Sequence, residues 1–285
     1  MKTQNCIHIS DLHGSRLRYE SLFKLIRNEL PAAVFIGGDI LPGLNLDSDI
    51  PNDFILDYLG KELQSIQQTL KDRYPRIFII PGNDDGYMIL EKMKLLEKRK
   101  LWQEITCRKT LFGNYFVYGY PYIPPSPFLL KDWEKYDVSR YVDPGCTSPE
   151  TGYYTRTIKP TDTRYSTIKN DLEKLADNVD LENSMFLFHS PPYQTTLDRA
   201  ALDGKMIDHV PLDMHIGSIA IQRFISERQP KLTLHGHVHE STRLTGSWRD
   251  RSGKTHMFNA AHDGPELAVI RFDLTDLESA ERVLI

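Results

Sequence analysis

Along the first hundred positions, short runs of consecutive apolar residues recur, each followed by a polar turn and then by apolar residues at helical spacing. CIHIS (6–10) leads into Asp11-Leu12-His13-Gly14 and a helix marked by Leu22, Leu25, Ile26 and Leu30. Val34 to Ile40 leads into a loop rich in Gly, Pro, Asn and Asp. A helix from about Asp53 to Tyr74 follows, bracketed by Pro51 and Pro75, with Ile55, Leu59, Leu63, Ile66 and Leu70 on one face. Ile77 to Ile80 leads into Pro81-Gly82-Asn83-Asp84-Asp85-Gly86 and a helix carrying Met88, Ile89, Met93, Leu95 and Leu96. Continuous apolar runs suit strands covered on both faces, so three strand-turn-helix units predict right-handed crossovers and a largely parallel sheet.

After Lys100 the pattern changes. Trp102 to Cys107, Lys109 to Phe112 and Tyr115 to Tyr118, with Gly113-Asn114 as a turn, read as an antiparallel excursion, which makes the sheet mixed. Residues 119–161 interleave aromatics such as Tyr120, Tyr122, Trp133 and Tyr141 with prolines; an insertion of that length reads as a substrate cover or an interface. A helix is expected over Thr163 to Asp177, a strand over Met185 to Phe188 ending in His189-Ser190-Pro191-Pro192, and a helix over Ser218 to Gln229 stopped by Pro230. Leu232 to Leu234 then leads into His235-Gly236-His237-Val238-His239, and Thr242 to Leu274 alternates like antiparallel strands.

With 285 residues, 40% hydrophobic and 26% charged, the chain fits one large domain, residues 1–285, carrying the 119–161 insertion. A net charge of -4 is too balanced for a protein that grips a nucleic-acid backbone by counterion release. The amino terminus lacks the apolar core of a secretory signal, no apolar run reaches membrane-spanning length, and the three cysteines are widely spaced; these place the protein in the cytosol. Nucleic acid and membrane are not expected as partners, and a homo-oligomer is compatible with the sequence.

Five strand ends carry the candidate chemistry: Asp11 and His13, Asp39 after Gly37-Gly38, Asn83 and Asp84 after Gly82, His189 before two prolines, and His237 with His239. Each motif alone is weak, and their joint register is strong. The order resembles the calcineurin-like metallophosphoesterase superfamily, with its DxH, GD, GNH plus acidic residue, solitary His, and GHxH. That resemblance implies an α/β four-layer αββα sandwich of two mixed sheets with outer helices. It also implies a site in which Asp11, His13, Asp39 and His239 hold one metal and Asp39, Asn83, His189 and His237 the other, with Asp39 as the bridge. Two cations sharing a hydroxide suit in-line attack on phosphorus, and carboxylate, imidazole and amide ligands suit Mn, Fe, Zn or Co; a mixed Mn or Fe site fits best.

One core position departs from the pattern: Asp84 stands where the family has the histidine thought to protonate the leaving group. Several readings stay open. Asp84 is itself a weak acid, another residue such as His215 or His262 supplies the proton, the leaving group needs none, or the metal site no longer catalyses. Asp85 matches the family's acidic position and reads as an orienter of ligands. His215, in DMHIGS before a helix, is either a helix-entry residue or a substrate contact, and His8 and His235, inside strands, read as packing residues. The function expected is hydrolysis of phosphate esters, and the expected partner is a small phosphoester substrate. Diesters are favoured over monoesters because the GNH histidine is missing and because the HSPP and GHVHES stretches look like those of superfamily phosphodiesterases. The rival is a metal-bearing protein-interaction module.

Overall fold

The computed structural model describes residues 5–43 and 53–285. Strand β1 (Asn5–Ile9) ends at the DLHG turn, and helix α1 (Arg16–Glu29) begins where the Ser15 side chain accepts the Arg18 N–H. Strand β2 (Ala33–Ile36) stops sooner than its apolar run suggests, because Gly37 and Gly38 turn the chain out of the sheet. Pro51 and most of the loop before it lie outside the described residues. Asp53 caps a π-helical turn, Phe54–Leu59, which continues as α2 (Gly60–Leu70), and β3 (Arg76–Ile79) and α3 (Ile89–Lys98) complete the third unit.

The excursion after Lys100 is only partly antiparallel. β4 (Gln103–Glu104) pairs parallel with β3, and the hairpin is β5 (Lys109–Phe112) with β6 (Tyr115–Tyr120), closed by Gly113 at φ 57°. The helix expected over Thr163 to Asp177 is broken into α4 (Pro160–Tyr165) and α5 (Ile168–Ala176). Ser166 and Thr167 are extended between them, and Thr167 caps the second by accepting from the Asn170 N–H. β7 (Ser184–Phe188) is followed by an unexpected small hairpin, β8 (Met206–Ile207) and β9 (Val210–Pro211), and then by α6 (Ile219–Arg228) and β10 (Leu232–His235). The tail opens with a short helix, α7 (Ser241–Thr245), before β11 (Arg249–Ser252), β12 (Thr255–Asn259), β13 (Ala268–Asp273) and β14 (Asp276–Leu284). Its hairpins are antiparallel as expected, but β12 joins β10 in parallel.

The strands form two mixed six-stranded sheets, β14-β13-β1-β2-β3-β4 and β11-β12-β10-β7-β6-β5. Side chains alternate along each strand, so one face of each sheet meets the other sheet while the opposite face meets helices. Cys6, Phe35, Phe78, Met185, Leu187 and Leu234 fill the layer between the sheets. Ile7, Val34 and Ile77 pack under α1 and α2, and Phe186 and Phe188 under α6. This is the α/β sandwich with outer helices. His8 lies between the carbonyls of Phe35 and His235 (3.2 and 2.9 Å), one from each sheet. Burial lowers it to about 4, consistent with a packing role. His235 is likewise buried, and burial lowers it to about 3.

The insertion is pinned rather than loose. Trp133 is buried and stacks on Tyr87, and the Asp132 carboxylate accepts the N–H groups of Tyr87 and Thr155. Further out, the Glu150 carboxylate accepts from Arg164 Nε (2.9 Å), Tyr136 OH (2.8 Å) and Arg140 Nη2 (2.6 Å). These partners, Arg164 first, hold it at about 2 against an ordinary 4.5. A depressed carboxyl stabilises the fold above its unfolded value and loses that contribution as pH falls through the folded one. The stability difference between wild type and Glu150→Gln, followed by chemical denaturation against pH, is therefore expected to be full above about pH 4.5 and to vanish near pH 2.

Candidate metal centre

Strands β1, β2 and β3 run parallel in the first sheet, and β6, β7 and β10 run parallel to one another in the second. Their carboxyl ends therefore open on one edge of the sandwich, where polar strand-end residues meet. Asp11 and Asp39 are buried there, and the side chains facing their carboxylates are imidazoles.

The donors form two groups. In one, His239 Nε2 is 3.2 Å from Asp11 Oδ1 and 3.1 Å from His13 Nε2, and single ligand atoms of Asp11, His13, Asp39 and His239 all lie within 4.8 Å of one another. In the other, His189 Nε2 is 2.9 Å from Asn83 Oδ1, and the His189 and His237 rings are 5.2 Å apart. Asp39 Oδ2 belongs to both, 3.7 Å from His13 Nε2 and 3.4 Å from His189 Nε2. Converging nitrogens and carboxylate oxygens of this kind could hold a metal ion.

Neighbouring backbone aims these groups. Asp11, His13, Asp39 and His237 all take positive φ (57°, 45°, 51° and 70°), a conformation that costs a non-glycine residue about 1–3 kcal/mol and that clusters at functional sites. Gly38, at φ 106°, lets the β2 turn pass against His189, and a Cβ on Gly82 would collide with the Asp39 carboxylate. His189 Nδ1–H donates to the Gly37 carbonyl (2.8 Å), which leaves Nε2 facing the site, and the His237 N–H donates to Asp11 (3.1 Å). Asp85, fully buried, accepts the N–H groups of Ile40, Leu41 and Gly82, tying the second strand end to the third. Burial and the Asp39 charge raise it to about 6.

Charge follows the same geometry. Burial would lower the His189 ring, but the charge and hydrogen bond of Asp39, with Asp11 and the Gly37 carbonyl, hold it up at about 10. Burial opposes ionisation of Asp11, yet the His239 hydrogen bond and the neighbouring imidazoles keep it below the usual carboxylate range. A cation held here would compete with the protons that Asp11 and Asp39 favour on these imidazoles.

A calcineurin-like phosphoesterase family model matches residues 5–241. The chain belongs to that family. One solved crystal structure is 16% identical to this family member, with 99% of each chain covered, at a TM-score of 0.61. TT1561 of Thermus thermophilus is 14% identical over 99% of each chain, at 0.57. Likeness at these identities concerns the fold alone. None of the curated proteins matches the chain.

In this family member the departure at Asp84 is visible in place. Its side chain is half-exposed, accepts the Asn83 amide N–H (2.8 Å), and lies 3.5 Å from His13 Nδ1; its N–H donates to Asp39 Oδ1 (2.9 Å). Burial and the Asp39 charge raise the Asp84 carboxyl in the metal-free site, and cations would act the other way. The Asn83–Asp84 bond turns the amide so that its oxygen faces the site.

Of the other candidates, His215 lines the same cavity, of about 490 Å³, as His13, Asp84 and His237. His262 is not among the described residues lining it; its ring pairs with Glu266 (3.2 Å). The insertion supplies one wall, including Pro124, Phe128 and Tyr141. Two residues that shape the centre carried no motif signal. Arg18 donates to the carbonyls of Asp11, seven positions away, and of Gly264, far along the chain (2.5 Å each), and buried Asp198 holds His215, seventeen positions on.

Proposed function

We propose that this protein is a dinuclear metal-dependent hydrolase of small phosphate esters, preferring diesters. The observation that carries the reading is Asp39 Oδ2 standing between the His13 and His189 nitrogens, one carboxylate common to two donor groups. Asp11, His13, Asp39 and His239 would hold one cation, and Asp39, Asn83, His189 and His237 the other. Cations held there would make hydroxide available near neutral pH and neutralise charge gathering on the phosphoryl oxygens. Asp85 and the Gly37 carbonyl keep the donors aimed, and the aromatic insertion walls the substrate from bulk water.

The cavity beside the donors favours diesters. Among the described residues no Lys or Arg lines it, whereas Asp84, Asp137, Asp143, Asp213 and Glu240 do, together with apolar side chains such as Phe128, Leu202 and Leu212. A diester carries a single negative charge that the metals can take up, and its apolar arms can lie on these walls. A monoester dianion or a polyanionic nucleic acid would meet uncompensated carboxylates.

The test uses metal-free protein loaded in turn with Mn, Fe, Zn and Co and assayed on bis-4-nitrophenyl phosphate beside 4-nitrophenyl phosphate. Turnover is expected with at least one metal, and faster for the diester. A protein that takes up two metals and cleaves neither ester would be a metal-bearing interaction module instead. Faster monoester cleavage would overturn the diester preference alone.

A further inference from the structure

The segment between β7 and α6 is built around one buried carboxylate that the metal centre does not use. Asp198 is fully buried, and its oxygens accept the N–H groups of Gln194 (3.0 Å), Thr195 (2.9 Å) and Gly217 (3.1 Å). A further bond comes from His215, whose Nδ1 lies 2.8 Å from Asp198 Oδ1. A carboxylate accepts only, so Nδ1 carries the proton. The backbone around the ring is fixed as well: the Ala200 N–H donates to the Met214 carbonyl (2.8 Å), the Ile216 N–H to the Asp198 carbonyl (3.2 Å), and the His215 N–H to Asp213 Oδ1 (2.8 Å). Tyr193 closes the far side, its ring edge-on to His215 at 6.1 Å and its hydroxyl on Asp213.

That leaves Nε2. It has no hydrogen-bond partner among the described residues, and the ring, 27% exposed, lies in the wall of the cavity that His13, Asp84, His237 and His239 also line. The segment is joined to the metal-side loop directly: the Ala201 N–H donates to the side chain of Glu240 (3.0 Å), the residue after His239. A histidine kept only for packing has no need of a buried carboxylate on one nitrogen and a bare second nitrogen on a ring in a cavity wall. A ring held at one nitrogen by a carboxylate, with the other offered to a substrate, is the arrangement of a proton-transfer group.

We infer that His215, positioned by Asp198, is the proton donor to the leaving oxygen of the ester, in place of the histidine that Asp84 replaces. The assignment rests on the phosphoester reading above. As the oxygen of a water molecule bonds to phosphorus, the bond from phosphorus to the leaving oxygen breaks. Its electron pair stays on that oxygen, which takes the proton from Nε2 of the His215 imidazolium. The proton released by the attacking water passes to solvent, and solvent recharges the ring. Asp84 is left to orient Asn83, a task its contacts already show. Asp198 touches no reacting atom and is a positioning residue.

A general acid matters in proportion to how poor the leaving group is, and that dependence tests the assignment. Wild type, His215→Gln, Asp198→Asn and His262→Gln, each with metal content measured, are compared on methyl 4-nitrophenyl phosphate and methyl phenyl phosphate. For His215→Gln the loss in kcat/KM is expected to be about 10²-fold greater on the phenyl ester than on the nitrophenyl ester. Asp198→Asn is expected to show the same bias to a smaller degree, and His262→Gln none. Equal losses on the two esters, or no loss, with metal retained, would overturn the role of His215 while leaving the phosphoester reading intact. A wild type that cleaves neither ester with any metal overturns both. A readout independent of turnover comes from long-range 15N–1H NMR of metal-free protein, in which the neutral His215 ring is expected to be the Nδ1–H tautomer. An Nε2–H tautomer in wild type would contradict the assignment.

Discussion

Asp39→Asn is expected to strip metal from the protein more completely than the loss of any donor that serves one metal, and to lower phosphoester turnover by about 10³-fold or more. Metal-ion stabilisation of a phosphoryl transition state amounts to several kcal/mol, and each 1.36 kcal/mol is a factor of ten. The geometric reason is that Oδ2 faces both donor groups, 3.7 Å from His13 Nε2 and 3.4 Å from His189 Nε2. An amide offers one neutral oxygen where a carboxylate offers two charged ones. His239→Gln, by contrast, should spare the cation on the Asn83 side. Elemental analysis after loading with Mn separates the two outcomes, and thermal unfolding gives a second measure. A ligand at a hundredfold excess over its Kd stabilises by about 2.7 kcal/mol, so wild type should gain in Tm on addition of metal and Asp39→Asn should not. If Asp39→Asn keeps both metals and full activity, the proposed bridge is wrong.

Lys131→Met is expected to be the most damaging substitution in the insertion, costing about 3–5 kcal/mol of stability near neutral pH. Both side chains of the Lys131–Glu134 pair are fully buried, with Nζ 2.5 Å from Glu134 Oε2 and 2.9 Å from the Ser126 carbonyl. Ser126 in turn donates to Glu134 through both its N–H and its hydroxyl. Removing the ammonium leaves a buried carboxylate facing only neutral donors. Burial already raises Glu134, and without Lys131 it should rise further. A raised carboxyl favours the fold below its unfolded value and loses that contribution as pH rises through the folded one. The Lys131→Met deficit should therefore shrink as pH falls toward the ordinary carboxylate range. Urea unfolding at two pH values reads the sign directly; a deficit that grows at lower pH would show that Glu134 is not the group left exposed to the change. Because Ser126 lies in the cavity wall, KM should also rise.

Much of the centre was legible beforehand because of where its residues stand. Asp11, Asp39, Asn83, His189 and His237 each close an apolar run, and a parallel strand delivers its end residue to the same edge as its neighbours. The register of motifs along the chain was therefore also a statement about space. Period and run length similarly carried the β-loop-α units. The errors fell where local pattern and tertiary pairing diverge. The short segment 102–107 reads as part of an antiparallel excursion, yet only Gln103–Glu104 is strand, and it lies parallel to β3. The apolar spacing over 163–177 is helical throughout, but Thr167 uses its side chain as a cap and breaks the helix in two. No motif pointed to Asp198, because its partners are backbone groups of a folded loop and one histidine seventeen positions on.

By itself the sequence determined the strand-turn-helix order, the family, and which polar residues stand at the strand ends, since apolar periodicity and strand-end polarity are local properties of the chain. Only the tertiary structure decided that Asp39 faces both donor groups, that Asp84 stands against His13 and Asp39, and that His215 rather than His262 shares their cavity. Those are distances between residues tens to hundreds of positions apart, set by how two sheets pack across a common core.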